Sequence, residues 1–162
     1  AGLGVGTYSG SFCEMSPYRN KFTFNADLGY GRWLDQTNGA YVRLSNLTAQ
    51  RRGEHNQSIH SLQAGYMLNV KSAITGESTE SDVFQLTTLL GASMNVATRS
   101  GHGPTYAPGL QAAVQAGVRV APQVEIYLEP SVAAFGKTIE RSHNSYPVEA
   151  MAKLSLGTKI SF

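Results

Sequence analysis

Histidine and serine are the residue types in this chain that could act in nucleophilic catalysis, and several of them lie near one another in the sequence. Four histidines and three serines fall in or near polar segments: His55, His60, His102, His143, Ser58, Ser61 and Ser145. His60 is the sharpest candidate, because Ser58 and Glu54 precede it, and a serine, a histidine and a carboxylate can act as nucleophile, base and orienting group. The alternative is that these residues form the solvated rim of polar loops. No nucleophile-elbow motif is present, so we favour the rim interpretation and predict no catalytic residue.

Other chemical motifs are weak. A catalytic carboxylate pair is one interpretation of Glu129 and Glu149, but charge pairing inside a fold explains these two residues better. The glycine run at residues 2–6 lacks the lysine and helix of a phosphate loop. Cys13 is the only cysteine, which excludes an internal disulfide and fits no metal-site spacing. The sequence therefore predicts neither a cofactor nor a metal.

The composition favours strands that cross a membrane. The 162 residues correspond to one domain over 1–162, with 41% hydrophobic and only 15% charged residues. No window reaches the roughly 18 consecutive apolar residues of a membrane helix. The net charge of +2 is too small, and the basic residues too scattered, to indicate nucleic-acid binding.

Alternation with a period of two is the dominant pattern. From Tyr146 to Phe162 the even positions are mostly apolar, whereas the odd positions are polar, charged or small. Successive side chains of a strand point to opposite faces, so this segment is a strand with one apolar face. Seven further segments can be read in the same way, more weakly at residues 2–12 and 40–47. The sequence predicts an all-β, antiparallel, up-and-down transmembrane barrel of about eight strands.

The connections between these segments predict an orientation. The first, third, fifth and seventh are polar loops: Cys13–Lys21, Gln50–Ser58, Arg99–Pro108 and Lys137–Ser145. The second (Asp35–Gly39) and sixth (Ala121–Gln123) are short, whereas the fourth (Lys71–Ser81) is an exception. Outer-membrane barrels have long extracellular loops and short periplasmic turns. We therefore expect the longer loops to be extracellular and both termini periplasmic.

The polar face predicts a closed interior. It carries four cations and four anions, interleaved with glycines: Asp27, Arg43, Arg119, Glu125, Glu129, Glu149, Lys153 and Lys159. Balanced charge suits an interior, where an unpaired charge is costly. A soluble ligand-binding barrel, with its apolar face inside, is the alternative. A small pore is a further alternative, although Tyr127, Trp33 and Met67 would fill an eight-stranded lumen.

One register can be tested. If the sixth turn has three residues, Val120 faces Val124 and Arg119 faces Glu125 across the interior. The same register places Tyr127 over Gly117 and Glu129 opposite Gln115. Oppositely charged partners at this position support the register.

Outward-facing aromatic residues fall near the predicted strand ends. They are Phe22, Tyr30, Tyr66, Phe84, Tyr146 and Phe162. Two such belts are typical of outer-membrane barrels. Ordinary β-propensity is the alternative explanation, because aromatic residues favour strands in general.

The terminal run KLSLGTKISF resembles the closing strand of Gram-negative outer-membrane proteins, and the whole plan resembles the OmpA/OmpX-type eight-stranded barrel family. This resemblance implies residence in the bacterial outer membrane, contact with membrane lipid and lipopolysaccharide, and recognition of the last strand by the barrel-assembly machinery. It implies a structural, adhesive or accessory-subunit role in a larger outer-membrane complex. Similarity to lipid A deacylases, which use an outward Ser–His pair, is the alternative and concerns His60.

Overall fold

Eight strands and one short helix make up the described part of the chain. The computed structural model describes residues 2–9, 21–49, 57–76, 82–99, 102–136 and 148–161. The elements are β1 (Gly2–Ser9), β2 (Lys21–Trp33), β3 (Asn38–Ala49), β4 (Gln57–Asn69), α1 (Val70–Thr75), β5 (Phe84–Arg99), β6 (His102–Ala121), β7 (Val124–Gly136) and β8 (Val148–Ile160). None of the described helical residues belongs to a helix long and apolar enough to span a membrane.

The sheet closes on itself. Each strand pairs antiparallel with the next along the chain, and β1 also pairs with β8 from Gly2–Gly157 to Ser9–Ala150. Each of the eight described strands therefore has a neighbour on both sides, which is the requirement for a sheet that spans a membrane. The predicted antiparallel up-and-down barrel is confirmed.

Side chains alternate between the interior and the outer surface because of the strand period of two. In β7 the odd positions from Glu125 to Phe135 are all buried, whereas the even positions are exposed or partly exposed. The weaker third run behaves in the same way, with Tyr41 and Arg43 inside and Val42 outside.

The two ends of the barrel differ. Residues 10–20, 50–56, 100–101 and 137–147 join strands at one end, which we name the loop end. Residues 34–37 and 122–123 are short turns at the opposite end, the turn end. The helix α1 also lies at the turn end, between β4 and β5.

The fifth connection is shorter than predicted. The expected loop Arg99–Pro108 is wrong, since β6 begins at His102 and pairs with β5 through Ala97–Thr105 and Asn95–Ala107. Pro104 and Pro108 are typical of a loop. A strand nevertheless tolerates proline at a position where no backbone N–H has to donate a hydrogen bond to the neighbouring strand.

The sixth turn differs by one residue. Ala121 pairs with Val124, and a register shift lies between Arg119 and Ala121, so the expected pairing of Val120 with Val124 is wrong. A bulge accommodates one additional residue in one strand. As a result Arg119 still pairs with Glu125, and Gly117 pairs with Tyr127, as expected.

The long fourth connection contains a helix that the alternation did not predict. The side chain of Asn69 accepts a hydrogen bond from Ser72 N at 3.2 Å, which caps the start of α1. Gly76, with φ of 71°, ends the helix in the left-handed region that glycine adopts without strain.

Candidate functional site

Buried charges occupy the middle of the barrel. Lys153 on β8 donates to both carboxylate oxygens of Asp27 on β2, at 2.9 and 2.8 Å. Ser45 donates to the same carboxylate at 2.5 Å, Asn25 at 3.0 Å and Ser155 at 3.3 Å. A buried carboxylate is tolerated when it is paired and hydrogen-bonded in this way.

A second group crosses the interior from β3 to β7. The guanidinium of Arg43 contacts the Glu129 carboxylate through two hydrogen bonds, Nη1–Oε1 at 2.5 Å and Nη2–Oε2 at 2.8 Å. Gln115 donates to Oε2 of Glu129 at 2.6 Å, and Arg43 also lies over the Tyr41 ring, 5.7 Å from its centre. Glu129 is only 1% exposed. This two-point geometry fixes the direction of both side chains.

A third group lies nearer the turn end. Lys159 pairs with Glu125 at 2.7 Å. With its amide oriented to satisfy both neighbours, Gln85 donates to Glu125 at 3.2 Å and accepts from Arg119 at 2.7 Å. The cross-strand partners Arg119 and Glu125 are thus bridged by a side chain of β5.

Seven of the eight proposed interior charges have described side chains that face inward, and they form these three groups. The side chain of the eighth, Glu149, lies outside the described residues; its backbone pairs with Phe135. Of the uncharged residues that complete the groups, Gln115 is expected opposite Glu129 from the register, and it donates to that carboxylate; Asn25 and Gln85 are not singled out by the sequence. Asn25, Gln85 and Gln115 nevertheless share the inward parity of the charges, and that parity is the signal that identifies them.

The interior is polar in its middle and apolar toward the loop end. At the loop end a buried apolar cluster comprises Leu47, Ile59, Ala97, Ala107, Ala133 and Phe135, with Met151 packed against it. A smaller cluster contains Tyr41 and Met67, and Tyr127 is also buried. Trp33, expected inside, is instead 38% exposed. It is the last residue of β2 at the turn end, where the barrel wall stops.

Aromatic residues face outward near both ends. Tyr30, Tyr66 and Phe84 are exposed near the turn end. The side chains of Phe22, Tyr146 and Phe162 lie outside the described residues. Toward the loop end, Phe24 and Tyr106 are exposed at 80% and 60%. Neither residue belongs to the predicted belts. Tyr106 falls in the loop Arg99–Pro108 expected from the sequence, and the even parity that Phe24 shares with Tyr30 is the signal that identifies it as outward.

His60 and Ser58 face outward on β4, two positions apart. His60 pairs with Asn46 and Val96, and Ser58 with Thr48 and Thr98, so no carboxylate stands among these cross-strand partners. Ser61 is buried on the opposite face. The other candidates lie beyond the described side chains: Glu54, His55, His102, His143 and Ser145. Within the described residues no group of three or more histidine, cysteine or acidic side chains is placed to hold a metal.

Comparisons with known proteins concern the fold. No protein-family model and no curated protein matches this sequence. Neisserial surface protein A superposes with a TM-score of 0.69 at 14% identity, covering 99% of this chain and 94% of that chain. The outer membrane enzyme PagL superposes at 0.52 with 12% identity, covering 100% of both chains. Ail, the attachment invasion locus protein of Yersinia pestis, in complex with the heparin analogue sucrose octasulfate, superposes at 0.54 with 15% identity, covering 99% of this chain and 97% of that chain.

These structural neighbours are small bacterial outer-membrane barrels, which confirms the predicted likeness to the OmpA/OmpX-type eight-stranded plan. At such low identity the likeness concerns architecture. It includes an enzyme and an attachment protein, so the fold alone does not select a role.

Proposed function

We propose that residues 1–162 form one non-enzymatic outer-membrane barrel with a sealed interior, serving a structural, adhesive or accessory-subunit role in a larger outer-membrane complex. One observation carries this proposal. The Arg43–Glu129 pair crosses the interior from β3 to β7, and the apolar cluster around Phe135 lies between it and the loop end. Ions or solutes could pass through the barrel only if both the ion pair and the apolar cluster were disrupted.

The outer surface supports membrane residence. Large apolar side chains are exposed on every strand from β2 to β8, among them Leu28, Leu62, Leu90 and Leu154. In water such a surface would be an aggregation liability, whereas in a bilayer it is solvated by lipid. We place the loop end outside the cell and the chain termini in the periplasm, because long loops are extracellular in this architecture.

The proposed partners are membrane lipid, lipopolysaccharide and the barrel-assembly machinery, the last through strand β8. A larger outer-membrane protein is proposed as a further partner. The Ail structure with a polyanionic sugar supports testing acidic saccharides at the loop end.

Co-purification from native membranes tests the accessory role. The full chain is extracted in a mild detergent, and its partners are identified after cross-linking. A stoichiometric larger outer-membrane protein is expected; recovery of the barrel alone, with and without cross-linker, contradicts the accessory role. Planar bilayers test the sealed interior, because steps of conductance at low protein loading would contradict it.

A lipid A-modifying enzyme is the second candidate. Ser58 and His60 share one lipid-facing surface, and the enzyme PagL has the same architecture. Mass spectrometry of lipid A from cells with and without the chain tests it. An altered lipid mass that disappears in both Ser58→Ala and His60→Ala would support the enzyme, whereas an unchanged mass would remove this candidate.

A further inference from the structure

The apolar outer surface of the barrel is short on strand β3. Three apolar side chains face outward along it: Ala40, Val42 and Leu44. The next outward position on either side is an asparagine, Asn38 toward the turn end and Asn46 toward the loop end. Seven residues, 39–45, therefore separate the two polar side chains. A membrane-spanning strand needs about 9–11 residues at its usual tilt, so the apolar part of β3 is too short for a bilayer of ordinary thickness.

The limit toward the turn end consists of polar and charged groups. The Asn38 amide donates to the Asp35 carboxylate at 2.8 Å, and its oxygen accepts from the Tyr66 hydroxyl. The outward side chain of Arg32 on β2 is exposed beside Ala40, its cross-strand partner. A carboxylate and a guanidinium stay in water or among lipid headgroups. This level therefore marks the edge of the hydrocarbon at β2 and β3.

The limit toward the loop end is also polar. Asn46 pairs with His60 on β4, and both side chains are exposed on the outer surface. The next outward positions, Thr48 on β3 and Ser58 on β4, are polar as well, and the register places Thr7 outward on β1. Polar residues at this end thus occur on several strands. Strand β3 is distinguished by the small distance between its two limits.

Heights on different strands can be compared because the closed register fixes the stagger. Cross-strand partners followed from Val96 through β4, β3, β2, β1, β8, β7 and β6 return to β5 at Leu86, ten positions closer to the turn end. Each step from β3 to β4, β5 and β6 therefore rises toward the loop end by about one and a quarter residues. Asn46 is thus level with Leu110 on β6, about four residues below its row partner Tyr106.

Strand β6 is apolar beyond both limits of β3. By the same stagger Asn38 is level with Val118. Val120 lies beyond Val118 toward the turn end, and Tyr106 lies beyond Leu110 toward the loop end, with exposed fractions of 57% and 60%. At about 2.5 Å of height per tilted residue, the outward apolar span is about 35 Å on β6 and about 20 Å between the two asparagines of β3.

Tilting the barrel in the membrane does not reconcile these spans. A tilt shifts both limits of one wall in the same direction, whereas on β3 the lower limit is raised and the upper limit is lowered. On β7, which lies opposite β3, the outward positions from Val124 to Ala134 are all apolar. Asn46 is too short to reach the headgroups as lysine and arginine do. A bilayer accommodates such a short wall by becoming thinner beside it.

We propose that the barrel thins the membrane along β3, where headgroups and water of both leaflets approach Ala40 and Leu44. This wall fits lipid with short acyl chains, about 20 Å of hydrocarbon in place of the usual core of about 30 Å. Each leaflet is then about 5 Å thinner at β3 than at β6. The inference rests on the proposed membrane residence.

Spin labels on two outward residues of equal height test the thinning. In a Cys13→Ser background, Leu44→Cys on β3 and Ala112→Cys on β6 are labelled, and each chain is folded into dioleoyl phosphatidylcholine vesicles without other proteins. Collisions of each label with oxygen and with a water-soluble nickel complex give its depth. We expect the label at 44 to lie about 5 Å shallower than the label at 112. In dilauroyl phosphatidylcholine, a thinner bilayer, the difference should shrink.

A double variant tests the cause. Asn46→Leu/His60→Leu extends the apolar surface toward the loop end, and it should deepen the label at 44 toward the depth of the label at 112. Thr88→Val, an outward polar-to-apolar change on β5, is the matched control and should leave both depths unchanged. Heat-modifiable migration on gels shows that each labelled variant is folded.

Equal depths for the two labels in dioleoyl vesicles overturn the inference and favour a second protein as the cover of this wall. A double variant that leaves the label at 44 shallow also overturns it. If the label at 112 itself collides freely with the nickel complex, the proposed membrane residence fails. If that label is deep and the label at 44 is equally deep, only the thinning fails.

Discussion

Lys153 and Asp27 form a buried ion pair that crosses over strand β1. They lie on β8 and β2, the two neighbours of β1, with Nζ–Oδ distances of 2.9 and 2.8 Å. In the register of β1, Gly2 pairs with Asp27 and Gly6 with Lys153, while Gly4 pairs with both Asn25 and Ser155. Cross-strand partners face the same side of a sheet. The glycines at positions 2, 4 and 6 therefore leave the space in which the two charged side chains meet.

Removal of one member of this pair is expected to be strongly destabilising. Lys153→Met leaves the Asp27 carboxylate buried without its cation, a change that typically costs about 3–5 kcal/mol. The free energy of unfolding is measured with urea in lipid vesicles. The double variant Asp27→Asn/Lys153→Met should recover much of the loss. A double variant no more stable than Lys153→Met would show that the charge pairing is not the cause.

A side chain at Gly4 is expected to prevent closure between β8 and β2. Gly4→Val places a branched side chain beside Asn25 and Ser155, both buried and hydrogen-bonded to Asp27. Yield of heat-modifiable folded protein should fall sharply. Val5→Leu is the matched control, because Val5 pairs with outward Phe24 and Leu154. Equal folding yields for the two variants would contradict the role assigned to the glycine.

Gly117 is expected to be essential to the position of Glu125. A Cβ atom at Gly117 would overlap with the Glu125 carboxylate, which pairs with Lys159. Gly117→Ala should destabilise the barrel by about 1–3 kcal/mol, the usual range for overpacking. Gly103→Ala is the control, since a Cβ there meets no atom within 4 Å. The two variants are compared by urea unfolding, and equal stabilities would exclude steric crowding.

The turn after β2 is expected to weaken in acid. Asp35 accepts hydrogen bonds from the side chain of Asn38 and from the backbone N–H groups of Thr37 and Asn38, at 2.6–2.8 Å, and these lower its pKa. A carboxyl group whose pKa is lower in the folded state contributes stability above its unfolded pKa, and that contribution is lost as pH falls through the folded value. Wild type should therefore exceed Asp35→Ala in stability at neutral pH.

The difference between these two chains should shrink as pH falls below about 4, the ordinary pKa of aspartate. Urea unfolding at several pH values measures it. A difference that stays constant into acid would assign the effect of Asp35 to turn geometry rather than to its charge.

Sequence patterning accounts for the strands and for most of the interior charges. Arg119 and Glu125 could be paired from sequence because a tight turn separates them by few residues and fixes their register. The pairing of Arg43 with Glu129 could not, since these residues lie on β3 and β7, and alternation says only that both face inward. An odd or even position in a strand determines whether a side chain faces inward or outward, but it does not determine which side chain it contacts across the interior.

The sequence by itself determined the period of two, the inward face of each strand and the balance of charge on that face, because these depend on local chain geometry alone. Only the tertiary structure decided that Lys153 reaches Asp27 across β1, that apolar residues fill the loop end, and that Asn46, Ser58 and His60 form one outward patch. Each of these depends on closure of the sheet and on the stagger of non-adjacent strands. Barrel closure brings together residues that the linear pattern separates.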